Sequence, residues 1–250
     1  MQKIWLIILS TLVFSITAEE SKTEQTSDNS IEFYAGISLG WDHLIAKRNE
    51  QVVTTQGNNR IFSDNKPQTA NGVTGKVVTG FFWNIPNSSF ALSPEIYLGQ
   101  GSVEITKKES IYDPVQNATK ELQSTLRQRL TMGVILRAGY YLTNNQNNFL
   151  YVLIGADQSK FENKFVLTST DPLGGNHPLF EKRSKYLRSP VIGFGFERKF
   201  NKFKVGIDIR YMNYEAWGKY SQKAPDTSDV ISIKFKPRII STALTVCYFF

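Results

Sequence analysis

The stretch from residue 126 to residue 142 alternates between apolar and polar side chains. Apolar residues such as Leu126 occupy even positions, whereas Arg127, Arg129 and Arg137 occupy odd ones. A period of two belongs to a β-strand with one apolar face, because an α-helix would distribute these arginines around its whole circumference. The segment therefore predicts a long strand with one apolar face and one charged face.

Seven further segments alternate in the same way and are predicted to be strands: residues 31–41, 73–83, 90–98, 149–156, 190–196, 203–211 and 242–250. The connections are short at 84–89, 143–148 and 199–202 and long at 46–72, 101–125, 158–189 and 212–236. Short turns at one end and long loops at the other are typical of outer-membrane barrels. Residues 31–250 are therefore predicted to be all-β, an eight-stranded antiparallel up-and-down transmembrane β-barrel with short periplasmic turns and long extracellular loops.

The N-terminal end predicts export. Residues 1–18 are interpreted as a signal peptide, because Lys3 precedes an apolar stretch at 4–16 that is too short to span a membrane, and Ala18 offers a small residue for cleavage. Residues 19–30 contain almost no apolar side chain, so they are predicted to form a flexible lead-in to the barrel.

The C-terminal strand ends in an aromatic residue, and its apolar face resembles the insertion signal of outer-membrane barrels: Leu244, Val246, Tyr248 and Phe250. Upstream, Ile231, Ile233 and Phe235 are apolar at odd positions, so the apolar face changes parity between the two segments. A β-bulge near Pro237 is predicted to make this change, and residues 231–235 are assigned to a hairpin arm above the membrane.

Composition narrows the function classes. The chain has a formal net charge of +7 at pH 7 and a mean hydropathy of −0.27, and no segment after residue 18 is apolar enough for a transmembrane helix. One cysteine and two histidines exclude an intramolecular disulfide and a Cys/His metal cage, so no metal and no cofactor are predicted. The basic residues are scattered and form no basic helix, which argues against nucleic-acid binding. The main interpretation of the basic charge is a merely solvated surface, and the alternative is attraction to anionic lipid headgroups or acidic glycans.

Three motifs in the predicted strands carry a family resemblance. Ser-Pro-Glu-Ile-Tyr-Leu-Gly at 93–99, Gly-Phe-Gly-Phe-Glu at 193–197 and Asp-Ile-Arg-Tyr-Met-Asn-Tyr at 208–214 resemble the third, sixth and seventh strands of the small bacterial outer-membrane β-barrel superfamily, which includes the OmpA-type transmembrane domain and the opacity-type surface proteins. With the terminal Phe250, the resemblance covers residues 31–250. It implies a barrel that the barrel assembly machinery inserts into the outer membrane of a Gram-negative-type bacterium, and it implies no single activity.

Strand parity predicts a set of charged side chains in the barrel lumen: Glu32, Asp42, Lys76, Glu95, Arg127, Arg129, Arg137, Glu197, Lys204, Asp208 and Arg210. The interior of an eight-stranded barrel is just wide enough for side chains to fill. Opposite charges enclosed there are expected to pair, because an unpaired buried charge is very costly. The main interpretation is an ion-pair core that fixes the strand register. The alternative is a narrow gated pore or small-solute channel, which opens when a Glu–Arg pair switches.

Aromatic residues at the strand ends are predicted to form interfacial girdles. The group near the periplasmic boundary is Phe33, Trp83, Phe90, Tyr140 and Phe203. Trp41 is predicted to lie near the outer boundary. Such residues are expected to pack in the lipid headgroup region rather than to bind a ligand.

No catalytic residue is predicted. Small outer-membrane barrels that deacylate lipid A use a histidine beside a serine, but here His43 is followed by Leu44 and His177 by Pro178. Both histidines are interpreted as surface residues and Cys247 as a packed thiol. A lipid-modifying outer-membrane enzyme stays as the last alternative.

Specific function is assigned to the four long loops, since lipid constrains the wall and packing constrains the lumen. The loops are interpreted either as solvated hairpin extensions or as a surface that recognises a host surface, glycan or matrix component. The sequence therefore predicts a non-enzymatic outer-membrane protein whose barrel anchors these loops for structural, adhesion or host-interaction roles. The predicted partners are outer-membrane lipid and a host-surface or glycan ligand.

Overall fold

The computed structural model describes residues 31–53, 59–62, 67–113, 118–142, 147–170, 176–218 and 230–250. They form ten strands: β1 (Ile31–Val53), β2 (Asn59–Phe62), β3 (Gln68–Asn84), β4 (Phe90–Gly101), β5 (Glu104–Asp113), β6 (Ala118–Tyr141), β7 (Asn148–Thr170), β8 (Asn176–Phe200), β9 (Phe203–Asn213) and β10 (Val230–Phe249). The predicted signal peptide (1–18) and lead-in (19–30) lie outside the described residues. In the part of the chain described, no helix has the length and apolar character needed to span a membrane.

Eight of these strands close into a ring in the order β1, β3, β4, β6, β7, β8, β9 and β10, and β10 pairs with β1 to complete it. Every neighbouring pair is antiparallel. The connections at one end of the ring, called the turn end, are short: residues 85–89, 142–147 and 201–202. The fold is therefore the predicted eight-stranded antiparallel barrel, and its closure pairs both edges of each strand in the ring.

The outer face of the ring carries a continuous apolar band, called the belt. Its side chains are large, apolar and exposed on every strand of the ring: Ile37, Leu39, Val73, Val77, Ile96, Leu98, Val134, Leu136, Val152, Ile154, Ile192, Phe194, Ile209, Tyr211, Leu244 and Val246. A monomeric protein in water rarely exposes an apolar surface of this extent. Apolar side chains outside and polar ones inside, alternating along each strand, are the pattern of a barrel that lies in lipid.

Beyond the belt, at the end opposite the short turns, the wall continues as an extension. Pairing of β3 with β4 ends at Thr74 and Gly101, and β9 ends at Asn213. Past these points β1 pairs with β2 and β10 in one sheet, while β5, β6, β7 and β8 form a second sheet. Much of the predicted loops 46–72, 101–125 and 158–189 is therefore regular strand, and β7 and β8 stay paired as far as Thr170 and Asn176.

The segment that follows β9 links the two sheets of the extension. The backbone N–H of Tyr214 donates to the carbonyl of Pro237 in β10, at 3.0 Å. The next residue, Glu215, donates its N–H to the carbonyl of Arg188 in β8, at 3.1 Å. This segment therefore joins the sheets at the level where β9 has ended.

The predicted bulge near Pro237 is wrong. β10 pairs with β1 in one unbroken register, with Pro237 opposite Ala46. Odd-numbered residues face inward on both sides of this point, and Phe235 and Ile239 are both buried. The apolar residues change parity because the interior of the extension is apolar, whereas in the belt the exterior is apolar. The register itself does not change.

The register shift lies in β6, where Arg129 has no partner in β7 between the paired residues Gln128 and Leu130. One extra residue in a strand moves all side chains beyond it to the opposite face. Leu126 is consequently buried inside the barrel, while Arg127 and Arg129 face outward. The prediction that these two arginines point into the lumen is therefore wrong.

Candidate functional site

Tyrosines of the lumen lie over glycines of the neighbouring strand. Tyr34 pairs with Gly80, and Tyr97 pairs with Gly133. A β-carbon on Gly80 would come within 2.8 Å of the Tyr34 hydroxyl, and one on Gly133 within 2.5 Å of the Tyr97 hydroxyl. The two glycines therefore leave the space through which these hydroxyls reach charged groups across the lumen.

The predicted lumen residues at the level of the belt meet in one buried cluster, called the charged core: Glu95, Arg137, Glu197, Lys204, Asp208 and Arg210. Arg137 lies at its centre. Its Nη2 is 2.8 Å from Oε2 of Glu95, and its Nη1 is 3.4 Å from Oε2 of Glu197. The hydroxyl of Tyr34 also donates to Oε2 of Glu95, at 3.2 Å. One guanidinium therefore links carboxylates that belong to two different strands.

Arg210 and Lys204 supply the other positive charges of the charged core. Arg210 donates two hydrogen bonds to Asp208, from Nε at 2.6 Å and from Nη2 at 2.8 Å. The Nζ of Lys204 is 3.4 Å from Oε2 of Glu197 and 3.4 Å from the centroid of the Tyr34 ring. Pairing with carboxylates and an aromatic face offsets the cost of removing these cations from water.

A second polar cluster surrounds Asp157, which lies one residue past the predicted fifth strand. Its Oδ2 accepts hydrogen bonds from the hydroxyls of Tyr97 (2.8 Å) and Thr131 (2.6 Å). Its Oδ1 accepts hydrogen bonds from the hydroxyls of Ser159 (2.7 Å) and Tyr214 (2.6 Å). Asp157 was not predicted as a lumen residue, although its odd number continues the inward parity of β7 and could have identified it.

Asp42 and Lys76, which were also predicted to face the lumen, are both buried there. Asp42 accepts a hydrogen bond from the hydroxyl of Thr74. The ammonium of Lys76 lies 5.0 Å from the centroid of the Tyr97 ring. These contacts extend the polar interior from the charged core toward the extension.

Glu32 lies at the turn end of the lumen, where the Nζ of Lys199 is 2.6 Å from its carboxylate. The pair borders a recess of about 10 Å³ that is lined by Glu32, Phe82, Tyr141, Asn147, Phe149, Glu197, Lys199 and Phe249. This is close to the space that one water molecule requires. The recess is therefore too small for an organic ligand.

Above Asp42 the interior changes from charged to apolar. The buried side chains of this upper core are Leu44, Val103, Leu126, Phe161, Leu187, Val191, Met212 and Ile239. Farther out, Trp217 and Phe235 exchange two backbone hydrogen bonds of 2.7 Å, and their ring centroids are 6.3 Å apart. The sequence predictions contain no such core, because residues 158–189 were assigned to a loop. Such a packed, largely apolar layer opposes the passage of ions.

The two outward arginines belong to a basic outer face beside the belt, formed by Arg127, Arg129, Lys160, Lys182 and Arg188. The Nη2 of Arg129 and the Nζ of Lys182 are each 3.1 Å from the carboxylate of Glu162. Burial acts to raise the pKa of Glu162, but the hydrogen bonds from Arg129 and Lys182 hold that pKa below its usual value. The Nη1 of Arg127 is 3.7 Å from a carboxylate oxygen of Glu104.

The predicted interfacial aromatics are all exposed on the outer face of the ring: Phe33, Trp41, Trp83, Phe90, Tyr140 and Phe203. Several form ring pairs, with centroids 5.3 Å apart for Phe90 and Tyr140 and 5.1 Å apart for Phe203 and Tyr248. The proposed insertion signal lies on the same outer face. Its first three residues belong to β10 and the last is the C-terminal residue: Leu244, Val246, Tyr248 and Phe250. Their roles at the interface and in insertion stay predictions.

The contacts of His43 and Cys247 are those of ordinary structural residues. The Nδ1 of His43 is 2.7 Å from Oδ1 of Asn71, and Cys247 is a buried free thiol. The side chain of His177 lies outside the described residues. Within the residues described, no three His, Cys, Asp or Glu side chains are grouped as a metal ion would require.

Comparisons with known proteins find distant structural likeness. No family model and no curated protein matches the chain. Ail of Yersinia pestis is 13% identical, with 88% of this chain and 99% of that chain covered and a TM-score of 0.35. The outer membrane protease OmpT of Escherichia coli is 13% identical (92% and 99% covered, TM-score 0.44), and Neisserial surface protein A is 12% identical (86% and 97% covered, TM-score 0.31). All three are outer-membrane β-barrel proteins. At these scores the assignment of the fold stands on the closed ring of strands itself.

Proposed function

We propose that this chain is a non-enzymatic integral outer-membrane protein, whose barrel anchors an extension that recognises a partner at the cell surface. The observation that carries the proposal is the combination of an exposed apolar belt with a filled, ion-paired lumen below a two-sheet extension that has its own apolar core. A wall that meets lipid and a lumen packed with side chains leave the extension as the part accessible to partners.

The lengths of the connections support the orientation. Bacterial outer-membrane barrels have short turns toward the periplasm and longer segments toward the outside. In this orientation the turn end faces the periplasm and the extension projects from the cell. Export through residues 1–18 and insertion guided by Leu244, Val246, Tyr248 and Phe250 belong to the same proposal.

Two features favour recognition over transport or catalysis. The charged core is buried on all sides, and the upper core covers it toward the outside. The ring of His43 contacts the side-chain amide of Asn71. A catalytic histidine would instead contact a serine, cysteine or other nucleophile that it could activate. The lumen therefore serves stability, and the outer surface serves binding.

The charge of the extension favours an anionic partner. The chain carries a formal net charge of +7, and β8 presents exposed cations at Lys182, Lys185 and Arg188. An extended basic surface attracts polyanions over distances of about the Debye length, which is about 8 Å at physiological ionic strength. We assign the partner to the class of acidic glycans at a host surface.

Adherence of intact bacteria that display the protein tests this function. We expect stronger adherence to a heparin-coated surface than to a dextran-coated one. We expect K185Q to reduce the adherence to heparin roughly threefold, because a screened surface charge contributes about 0.7 kcal/mol. The control is K202Q, since Lys202 is exposed in the turn between β8 and β9 at the opposite end of the barrel.

Two results would count against the proposal in different ways. Equal adherence to both surfaces by folded protein would refute recognition of acidic glycans. Resistance of the extension to protease added to intact cells, with cleavage only after lysis, would refute the surface location.

A further inference from the structure

The bulge at Arg129 determines which side chains of β6 stand directly above the belt. Leu130 and Met132 face outward at its edge, and an unbroken strand would continue with Gln128 and Leu126 on that face. The extra residue presents Arg129 and Arg127 to the outside instead, because it reverses the parity of the strand. Bulges commonly re-aim side chains beside functional sites.

The cations of the basic outer face are held in position by their neighbours. Glu162 faces outward but is only 6% exposed, because Arg129 and Lys182 cover its carboxylate from two sides at 3.1 Å each. The ammonium of Lys160 lies 5.9 Å from the centroid of the Tyr186 ring. Glu162 and Tyr186 thus order cations from three adjacent strands on one surface.

Positive charge remains after these contacts. The face contains Arg127, Arg129, Lys160, Lys182 and Arg188. Within the part of the chain that the structure describes, the carboxylates that pair with its members are Glu104 and Glu162. The side chains of Arg129 and Lys182 are 31% and 49% exposed, so both can be reached from outside. A guanidinium has five N–H donors, and the contact with Glu162 engages one nitrogen of Arg129.

We propose that the basic outer face binds the phosphate of a glycolipid headgroup in the outer leaflet. The inference rests on the proposed function, which places the belt in the membrane and its outer edge at headgroup depth. A phosphate monoester carries between about 1.5 and 2 negative charges at neutral pH, so one group can engage a guanidinium fork and an ammonium together. We assign the bound phosphate to a lipid headgroup rather than to free phosphate. On β6 the first cation, Arg129, is adjacent to Leu130 at the apolar edge of the belt, so it lies at headgroup depth.

Lipid selection by the folded protein tests this site. The full chain is folded into phosphatidylcholine vesicles that contain a small fraction of lipid A or of its dephosphorylated form, then extracted in mild detergent, and the bound lipid is counted by mass spectrometry. We expect enrichment of phosphorylated lipid A. R129Q/K182Q is expected to lower that enrichment about 25-fold, since each cation near an anionic surface contributes about fivefold.

A matched variant separates a built site from general attraction. K47Q/K236Q removes the same charge from exposed lysines on β1 and β10, which pair with each other away from the basic outer face, and is expected to change enrichment less than about twofold. R129K keeps the charge but loses the planar fork, so we expect a loss of severalfold. Equal losses in the two double variants, or no loss in R129K, would overturn the site.

Two further measurements show whether the bound phosphate belongs to a lipid headgroup and, if lipid A is not enriched, which of the two proposals is wrong. Inorganic phosphate added at the same total phosphate concentration is expected to leave lipid A bound, and full displacement would overturn the assignment to a lipid headgroup. Folding is checked by the electrophoretic shift between unheated and boiled protein. Protein that never inserts into vesicles would contradict the proposed function, whereas inserted protein without enrichment would contradict this site alone.

Discussion

The barrel at belt level and the extension above it are built from the same strands, but their faces have opposite character. In the belt the interior is charged and the exterior apolar. The extension instead encloses a largely apolar core, with a few buried polar side chains such as Gln128, and its exterior is mostly polar. β1 passes from one region to the other without a register shift, with Asp42 and Leu44 successive inward residues. The comparison teaches that the surrounding medium, lipid or water, selects which face of a strand is apolar.

The two regions are consequently stabilised by different forces. Burying apolar surface from water holds the two sheets of the extension together. In lipid that driving force is absent on the outer face, so closure of the backbone hydrogen bonds and the pairing or hydrogen bonding of the enclosed charges become decisive. Substitutions that are equivalent by size or exposure should therefore have different costs in the two regions.

The largest effect is expected from Arg137 in the charged core. R137M leaves the carboxylates of Glu95 and Glu197 without their central cation, and breaking such a buried pair costs about 3–5 kcal/mol. The measurement is denaturant unfolding of the protein folded in bilayers or micelles. The double variant E95Q/R137M should recover part of the loss, because it also removes one unpaired charge. A change below about 1 kcal/mol for R137M would show that the charged core does not stabilise the barrel.

The next effect comes from one substitution made in each region. Val152 on the belt and Phe180 on the extension are equally exposed, at 60% and 62%. V152K places an ammonium against lipid and is expected to cost about 2–4 kcal/mol. F180K places it in water and is expected to change stability by less than about 0.5 kcal/mol. Equal costs in the same unfolding assay would contradict the division of the surface into a lipid-facing belt and a water-facing extension.

The smallest effect is the pH dependence of the Glu162 contacts. The pKa of Glu162 lies below its ordinary value of 4.5 because hydrogen bonds from Arg129 and Lys182 outweigh the effect of burial. A lowered folded-state pKa means that the contribution to stability is complete above about pH 4.5 and disappears as the pH falls through the lowered value. We expect pepsin to cleave the β7–β8 hairpin faster as the pH falls through that lowered pKa, and we expect E162Q to remove that increment. An identical pH profile for E162Q would contradict the assignment.

The strands of the ring follow from the sequence because period-two alternation is a local property. Inward parity likewise predicted Glu95, Arg137, Asp208 and their partners, which the structure brings within ion-pair distance. The bulge at Arg129 leaves no comparable mark, since one extra residue in a strand has no sequence signature of its own. Counting by twos through that point therefore placed Arg127 and Arg129 in the lumen.

The extension shows a different limit of prediction. The apolar residues at odd positions 231–235 indicated a change of parity, and a bulge was the explanation available from local pattern alone. The structure shows that the strand keeps its register while the apolar face changes from the outside of the ring to the inside of the extension. Phe161 belongs to a core to which both sheets contribute side chains. The sequence of a single strand does not indicate which distant strand will pack against it.

Single-channel recording tests most directly the central claim that the lumen is closed. The protein, shown to be folded by its electrophoretic shift, is inserted into a planar bilayer and held at constant voltage. We expect no conductance above the background, because the charged core fills the belt and the packed upper core covers it toward the outside. Stable openings of the unmodified protein that change with E95Q or R137M would contradict this account and identify the lumen as a conduction path.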